Sequence, residues 1–73
     1  MTPQELAALP QGTRVRFLIE ENQIQDETIS TYEYGAIGLA GPITHVTWDD
    51  GPTTLIDTKS KAWDGFIREM ELA

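Results

Sequence analysis

The chain reads as mainly β, a small barrel of about five antiparallel strands behind a short capped helix. Three features carry that expectation. Apolar residues recur at every second position through Val15, Phe17 and Ile19, and again at Val46 and Trp48, the period of a strand with one buried face. Glycine, proline and an Asp-Asp-Gly run interrupt the chain at intervals that suit short strands. The 73 residues make one domain, and a chain of that size buries only about 60% of its unfolded surface.

The first element is a helix. Thr2 is placed as its N-cap, Pro3 at its first position and Glu5 where it closes a capping box. Pro10 and Gly12 end it near Leu9. Leu6 and Leu9 then form a small apolar face that must dock, because so short a helix does not persist alone. Residues 1–11 are thus an N-terminal helix, and residues 12–73 the barrel of a single domain. From Thr13 the period becomes two, with Val15, Phe17 and Ile19 against Arg14, Arg16, Leu18 and Glu20, and this is the first strand. Residues 21–27 are polar apart from Ile24 and read as a long loop or a ragged hairpin arm.

Thr28–Tyr34 is rich in β-branched and aromatic residues, with Ile29 on one face and Tyr32 and Tyr34 on the other. It fits a strand or the ordered half of a loop. A short apolar strand follows, where Gly35 and Gly38 suggest a tight turn, bulge or bend. Gly41-Pro42 turns the chain into Ile43–Trp48, which sets Val46 and Trp48 against Ile43, His45 and Thr47. Asp49-Asp50-Gly51 predicts a hairpin, with Thr53–Asp57 as the returning strand.

Residues 62–72 admit two readings. Trp63, Phe66, Ile67 and Met70 have helical spacing with Ser60 as N-cap, although Gly65 interrupts them. Alternatively, a helical turn at Ser60–Asp64 leads into a closing strand, Phe66–Glu71. The strand is preferred, because a barrel needs a last strand to remove its edge. Val15, Phe17, Ile37, Val46 and Leu55 are expected in the core, and Trp48 and Trp63 are expected to fill it.

Gly12-Thr-Arg-Val15-Arg, Tyr34-Gly35-Ala-Ile-Gly38, Ile43-Thr-His-Val46-Thr-Trp48-Asp-Asp-Gly51 and Leu55-Ile-Asp57 follow one another in that order. Over about residues 12–57 this resembles a group of small SH3-like β-barrel proteins of uncharacterised function from bacteria and their phages. The resemblance implies an SH3-like barrel and a setting related to phages or mobile elements. It carries no catalytic residue, and the capped helix, the acidic 20–33 segment and the C-terminus depart from it. Such barrels serve peptide binding, nucleic-acid binding and assembly alike, so fold alone selects no function.

Charge narrows the classes. Five Lys/Arg against twelve Asp/Glu give a net charge of −7, opposite in sign to the footprint that binds nucleic acid. Residues 17–58 contain no Lys or Arg but hold eight acids, Glu20, Glu21, Asp26, Glu27, Glu33, Asp49, Asp50 and Asp57. That field repels phosphate and steers basic partners in, although an acidic surface also serves solubility alone. The absence of cysteine leaves no disulfide or thiolate zinc site to staple the domain. No signal-peptide pattern opens the chain and no apolar run reaches the roughly 20 residues that span a bilayer, so a cytoplasmic protein without a membrane partner is expected.

Catalysis is not expected. His45 is the single histidine, and neither Ser30 nor Ser60 lies in a nucleophile elbow. His45, Asp49 and Asp50 could in principle approach a metal, but Asp-Asp before Gly is turn chemistry first, so neither metal nor cofactor is expected. Carboxylate-pair hydrolysis needs a cleft that a chain this small scarcely forms. The expected binding set is Glu20, Glu21, Asp26 and Glu27 with Tyr32 and Tyr34, a surface for a basic protein or peptide through charge and cation–π contacts. In a phage setting, such carboxylates could stand in for phosphates on a host protein. Two other classes stay open: an assembly protein joined as a homo-oligomer through Leu6, Leu9 and the last apolar segment, and a nucleic-acid-binding barrel using Arg14, Arg16 and Lys61.

Overall fold

A computed structural model describes residues 1–40 and 42–73. The elements are α1 (Pro3–Ala7), β1 (Arg14–Ile24), β2 (Glu27–Ala40), β3 (Ile43–Trp48), β4 (Thr53–Ile56), a 3-10 turn (Lys61–Trp63), α2 (Asp64–Arg68) and β5 (Met70–Leu72). The strands form one five-stranded antiparallel sheet in the order β4-β3-β2-β1-β5. The sheet is open, with β4 and β5 as its edges among the described residues.

The local chemistry of α1 is as its sequence implies. Glu5 N–H donates to Thr2 Oγ1 at 3.1 Å and Thr2 N–H donates to Glu5 Oε1 at 2.9 Å, which satisfies two of the helix's free donors. Leu6 is fully buried and joins Ile67 and Met70 in the core. The Met1 ammonium donates to the carbonyls of Ile67 at 3.3 Å and Met70 at 2.7 Å, so the two ends of the chain meet.

Side chains on the inner face of the sheet form the core: Val15 from β1, Ile37 from β2, Val46 and Trp48 from β3, and Ile56 from β4. The alternation in β3 is as expected, with Thr44, Val46 and Trp48 buried and Thr47 exposed. The core assignment of Leu55 is corrected: it is 56% exposed and Ile56 is buried instead. Thr53–Thr47 and Thr54–Val46 pairing sets that parity, because a strand's faces swap with a one-residue shift. Phe17 packs against the core while staying half-exposed.

Gly35 is not a turn. β2 runs unbroken through it, and an added Cβ would stand 2.9 Å from Thr47 O and 2.9 Å from Trp48 Cε3. The glycine makes room for the indole, whose Nε1–H donates to Thr54 Oγ1 at 2.7 Å. The Asp49-Asp50-Gly51 hairpin forms as expected, with Gly51 N–H on Trp48 O at 2.9 Å and φ of +119° at Gly51, a conformation that favours glycine. The turn expected at Gly41-Pro42 falls on Gly41, outside the described residues.

The C-terminal segment combines both sequence readings. Ser60 Oγ accepts from Ala62 N–H at 3.4 Å and opens the 3-10 turn. α2 follows where a strand was preferred, and only Met70–Leu72 is extended. Packing decides this. Ile67 is fully buried and Phe66 stacks on Phe17, ring centroids 4.4 Å apart, while Trp63 meets Phe66 edge-on at 5.5 Å. A strand would turn Phe66 and Ile67 to opposite faces, and one of these contacts would be lost.

Candidate functional site

The segment read as a loop or ragged arm is a regular ribbon. β1 and β2 pair without a gap from Glu20↔Thr31 to Ile24↔Glu27 after a bulge between Leu18 and Glu20. Gln25 and Asp26 close the ribbon, Gln25 with φ of 58°. A Gln23 Nε2–Thr28 Oγ1 hydrogen bond ties its tip. Beyond β5, which pairs only with Val15–Phe17, and before β3, which meets β2 from Gly35, this ribbon has no neighbour among the described residues. Residues 19–31 are all exposed.

Cross-strand partners share a face, so the register assigns every side chain of the arm. Glu20, Asn22 and Ile24 lie on the inner face with Glu27, Ile29 and Thr31, whereas Glu21 and Gln23 lie on the outer face with Thr28 and Ser30. All four acids expected at a binding site, Glu20, Glu21, Asp26 and Glu27, therefore stand on the arm, but on two faces and its tip. Ile24 and Ile29 are 56% and 45% exposed and sit diagonally on the inner face. The two ion pairs among the described residues lie elsewhere: Arg14 with Asp49 and Arg16 with Glu71.

Tyr32 and Tyr34 occupy the outer face at the root of the arm, ring centroids 6.5 Å apart, with Tyr34 40% exposed. The Arg16 guanidinium lies 4.1 Å over the Tyr32 ring and its Nε–H donates to Glu71 Oε1 at 2.8 Å. The chain thus supplies Tyr32 with its own cation, and the acids of the inner face are turned away from this pair. Tyr34 is engaged by the same cation, since a hydrogen bond from Arg16 to its hydroxyl is the first cause that raises the Arg16 pKa, and its ring is the more open of the two.

Sequence reading left Glu33 out of the site. It pairs with Phe17 on the inner face and shares a hydrogen bond with the Asp50 carboxyl, which, with partial desolvation and that residue's charge, raises its pKa above the ordinary 4.5. Asp49 has the opposite environment. The Arg14 guanidinium grips both its oxygens at 2.7 and 2.6 Å and lowers its pKa. The Glu33–Asp50 approach is a tertiary contact between β2 and the β3–β4 turn, and no local pattern announces it.

His45 is opposite Gly38 and Leu55 in the register, neither an acid nor a nucleophile. Among the described residues no three His, Asp or Glu side chains group as a metal ion would need, and no helix is long and apolar enough to cross a membrane. A surface depression of about 710 Å³ lies beside α1 and is lined in part by Pro3, Ala7, Lys59, Lys61 and Asp64. Compared with family models, with curated proteins and with solved structures, the chain matches none.

Proposed function

We propose that the protein is a non-enzymatic interaction module, an SH3-like barrel whose acidic arm receives a basic segment of a protein partner. One observation carries the reading: Glu20, Glu21, Asp26 and Glu27 project on a fully exposed ribbon, and the ion pairs among the described residues involve none of them. Folding gains nothing from gathering like charges, whereas a cationic partner is drawn in by them and its approach is accelerated. The pairing of the last strand, β5, with the first, β1, supports the SH3-like reading. Tyr34, 40% exposed, flanks the arm as an apolar contact. In the phage-related setting that the resemblance implies, the partner is a host protein whose basic face otherwise holds phosphate.

The test is a titration of a lysine-rich peptide into the protein over a salt series, followed by amide chemical shifts. Binding is expected to weaken steeply as salt rises through the range where the Debye length falls from about 30 to 8 Å. Replacing the acids together, by Glu20→Gln, Glu21→Gln, Asp26→Asn and Glu27→Gln, is expected to abolish it. Salt-independent binding, or retention by the neutralised variant, overturns the reading.

A further inference from the structure

The arm has a second property besides charge: its β2 side is an unpaired strand edge. β3 pairs with β2 only from Gly35 onward, so Glu27–Tyr34, roughly 25 Å of strand, borders no other strand among the described residues. The Asp49 N–H donates to Tyr34 O at 2.9 Å, which marks the even residues of β2 as those turned away from β1. By the two-residue alternation of an antiparallel ladder, the N–H and C=O groups of Thr28, Ser30 and Tyr32 face the same open side. The β1 side of the arm is shorter and begins only past the bulge at Leu18/Glu20.

Natural sheets blunt such an edge with charged side chains, above all lysine, with proline, with a bulge or with a covering element. This edge has only acids, Glu27 and Glu33, which repel a like-charged strand and attract a cationic one: Glu27-Thr-Ile-Ser-Thr-Tyr-Glu33 contains no proline or lysine, and the bulge lies on the other strand. Its composition is that of a good strand.

We propose that the Glu27–Tyr34 edge of β2 binds its partner by strand addition, taking up an extended basic segment antiparallel to β2, with lysine or arginine at every second position. This rests on the reading of the arm as a site for a basic partner and specifies how that partner lies. An antiparallel strand opposite Thr28, Ser30 and Tyr32 shares the outer face at those positions. Its alternate residues fall on the inner face, level with Glu27, Glu33 and Ile29. Long cationic side chains fit there, their heads on carboxylates and their methylenes along the isoleucines. The Glu33–Asp50 carboxyls, which share a hydrogen bond and no cation, lie at one end of that row. A second copy of this chain is the poorer occupant, because self-pairing centred on Ser30 sets Glu27 of one copy against Glu33 of the other, and each copy brings a net −7.

The experiment uses the intact chain and two synthetic peptides that alternate lysine and threonine, one of them N-methylated at its threonines, whose N–H groups would face β2. The unmodified peptide is expected to bind and to protect the amides of Thr28, Ser30 and Tyr32 from exchange. The methylated peptide, equal in charge, is expected to bind at least about tenfold more weakly, the worth of one lost hydrogen bond or more. Ser30→Pro removes one edge N–H without touching the β1 ladder, a position at which strands accept proline, and is expected to weaken the unmodified peptide alone. Equal binding of the two peptides overturns strand addition and leaves the acidic-arm function standing. Binding of neither peptide overturns both. A dimer of the free protein with those amides already protected would give the edge to a second copy and overturn this assignment.

Discussion

Glu33 and Asp49 show how two acids close in space take opposite roles. With its pKa raised beside Asp50, Glu33 favours the fold in its protonated form. Its contribution is fully present below the unfolded pKa and is lost as pH rises through the folded one. Glu33→Gln is therefore expected to raise the melting temperature at neutral pH, with the gain vanishing below about pH 4. Thermal unfolding of both proteins across that range checks it, and a gain that persists in acid would show that charge is not the cause. Asp49, with its pKa lowered by Arg14, has the reverse sign: its contribution is present above the unfolded pKa and fades as pH falls through the folded one. The Asp49-Asp50-Gly51 turn was plain in the sequence, whereas the partners of its two acids arrive from β1 and β2 and depend on register.

Among the elements, α2 and β2 separate what glycine means in two places. Gly65 lies inside α2, where an added Cβ meets nothing within 4 Å and the backbone φ is not positive. Gly65→Ala is expected to stabilise the protein by about 0.5–1 kcal/mol, by cutting the freedom of the unfolded chain. A higher urea midpoint at unchanged slope would show it. Gly35 is the opposite case, held to glycine by the Trp48 ring and the Thr47 carbonyl. Sequence spacing suggested a break at each, yet β2 and α2 run through them, and only packing tells a removable glycine from a required one. The same limit explains α2 itself: the helical spacing of Trp63, Phe66 and Ile67 was visible, and the stacking of Phe66 on Phe17 decided between helix and strand.

On the scale of the whole molecule the arm is a projection from a small two-layer body. The radius of gyration is 13.0 Å, with extents of 46 × 25 × 18 Å, against roughly 11 Å for a compact chain of this length. No arm residue from Glu20 to Thr31 is buried, so the arm adds little to the core. A variant joining Glu20 to Thr31 through Asn-Gly, a two-residue turn suited to hairpins, is expected to keep its melting temperature within a few degrees of the parent, since surface changes stay within about 0.5 kcal/mol. It is also expected to lose basic-peptide binding. Loss of folding in calorimetry would mean that the arm supports the core, and retained binding would place the site elsewhere.

Residues near one another in the chain settled most of the local structure. The Thr2–Glu5 capping box, the Val15 and Val46–Trp48 alternations, the Asp-Asp-Gly hairpin and the run of acids without a nearby cation were all determined by the sequence itself. Each rests on contacts within a few positions or on a fixed period. The tertiary structure alone decided that the sheet stays open, that Ile56 rather than Leu55 is inside, and that Arg16 covers Tyr32. It also decided that the acidic segment stands out as a ribbon with a free edge. Those outcomes depend on which strands pair and in what register, and pairing energies are set between residues far apart in the chain.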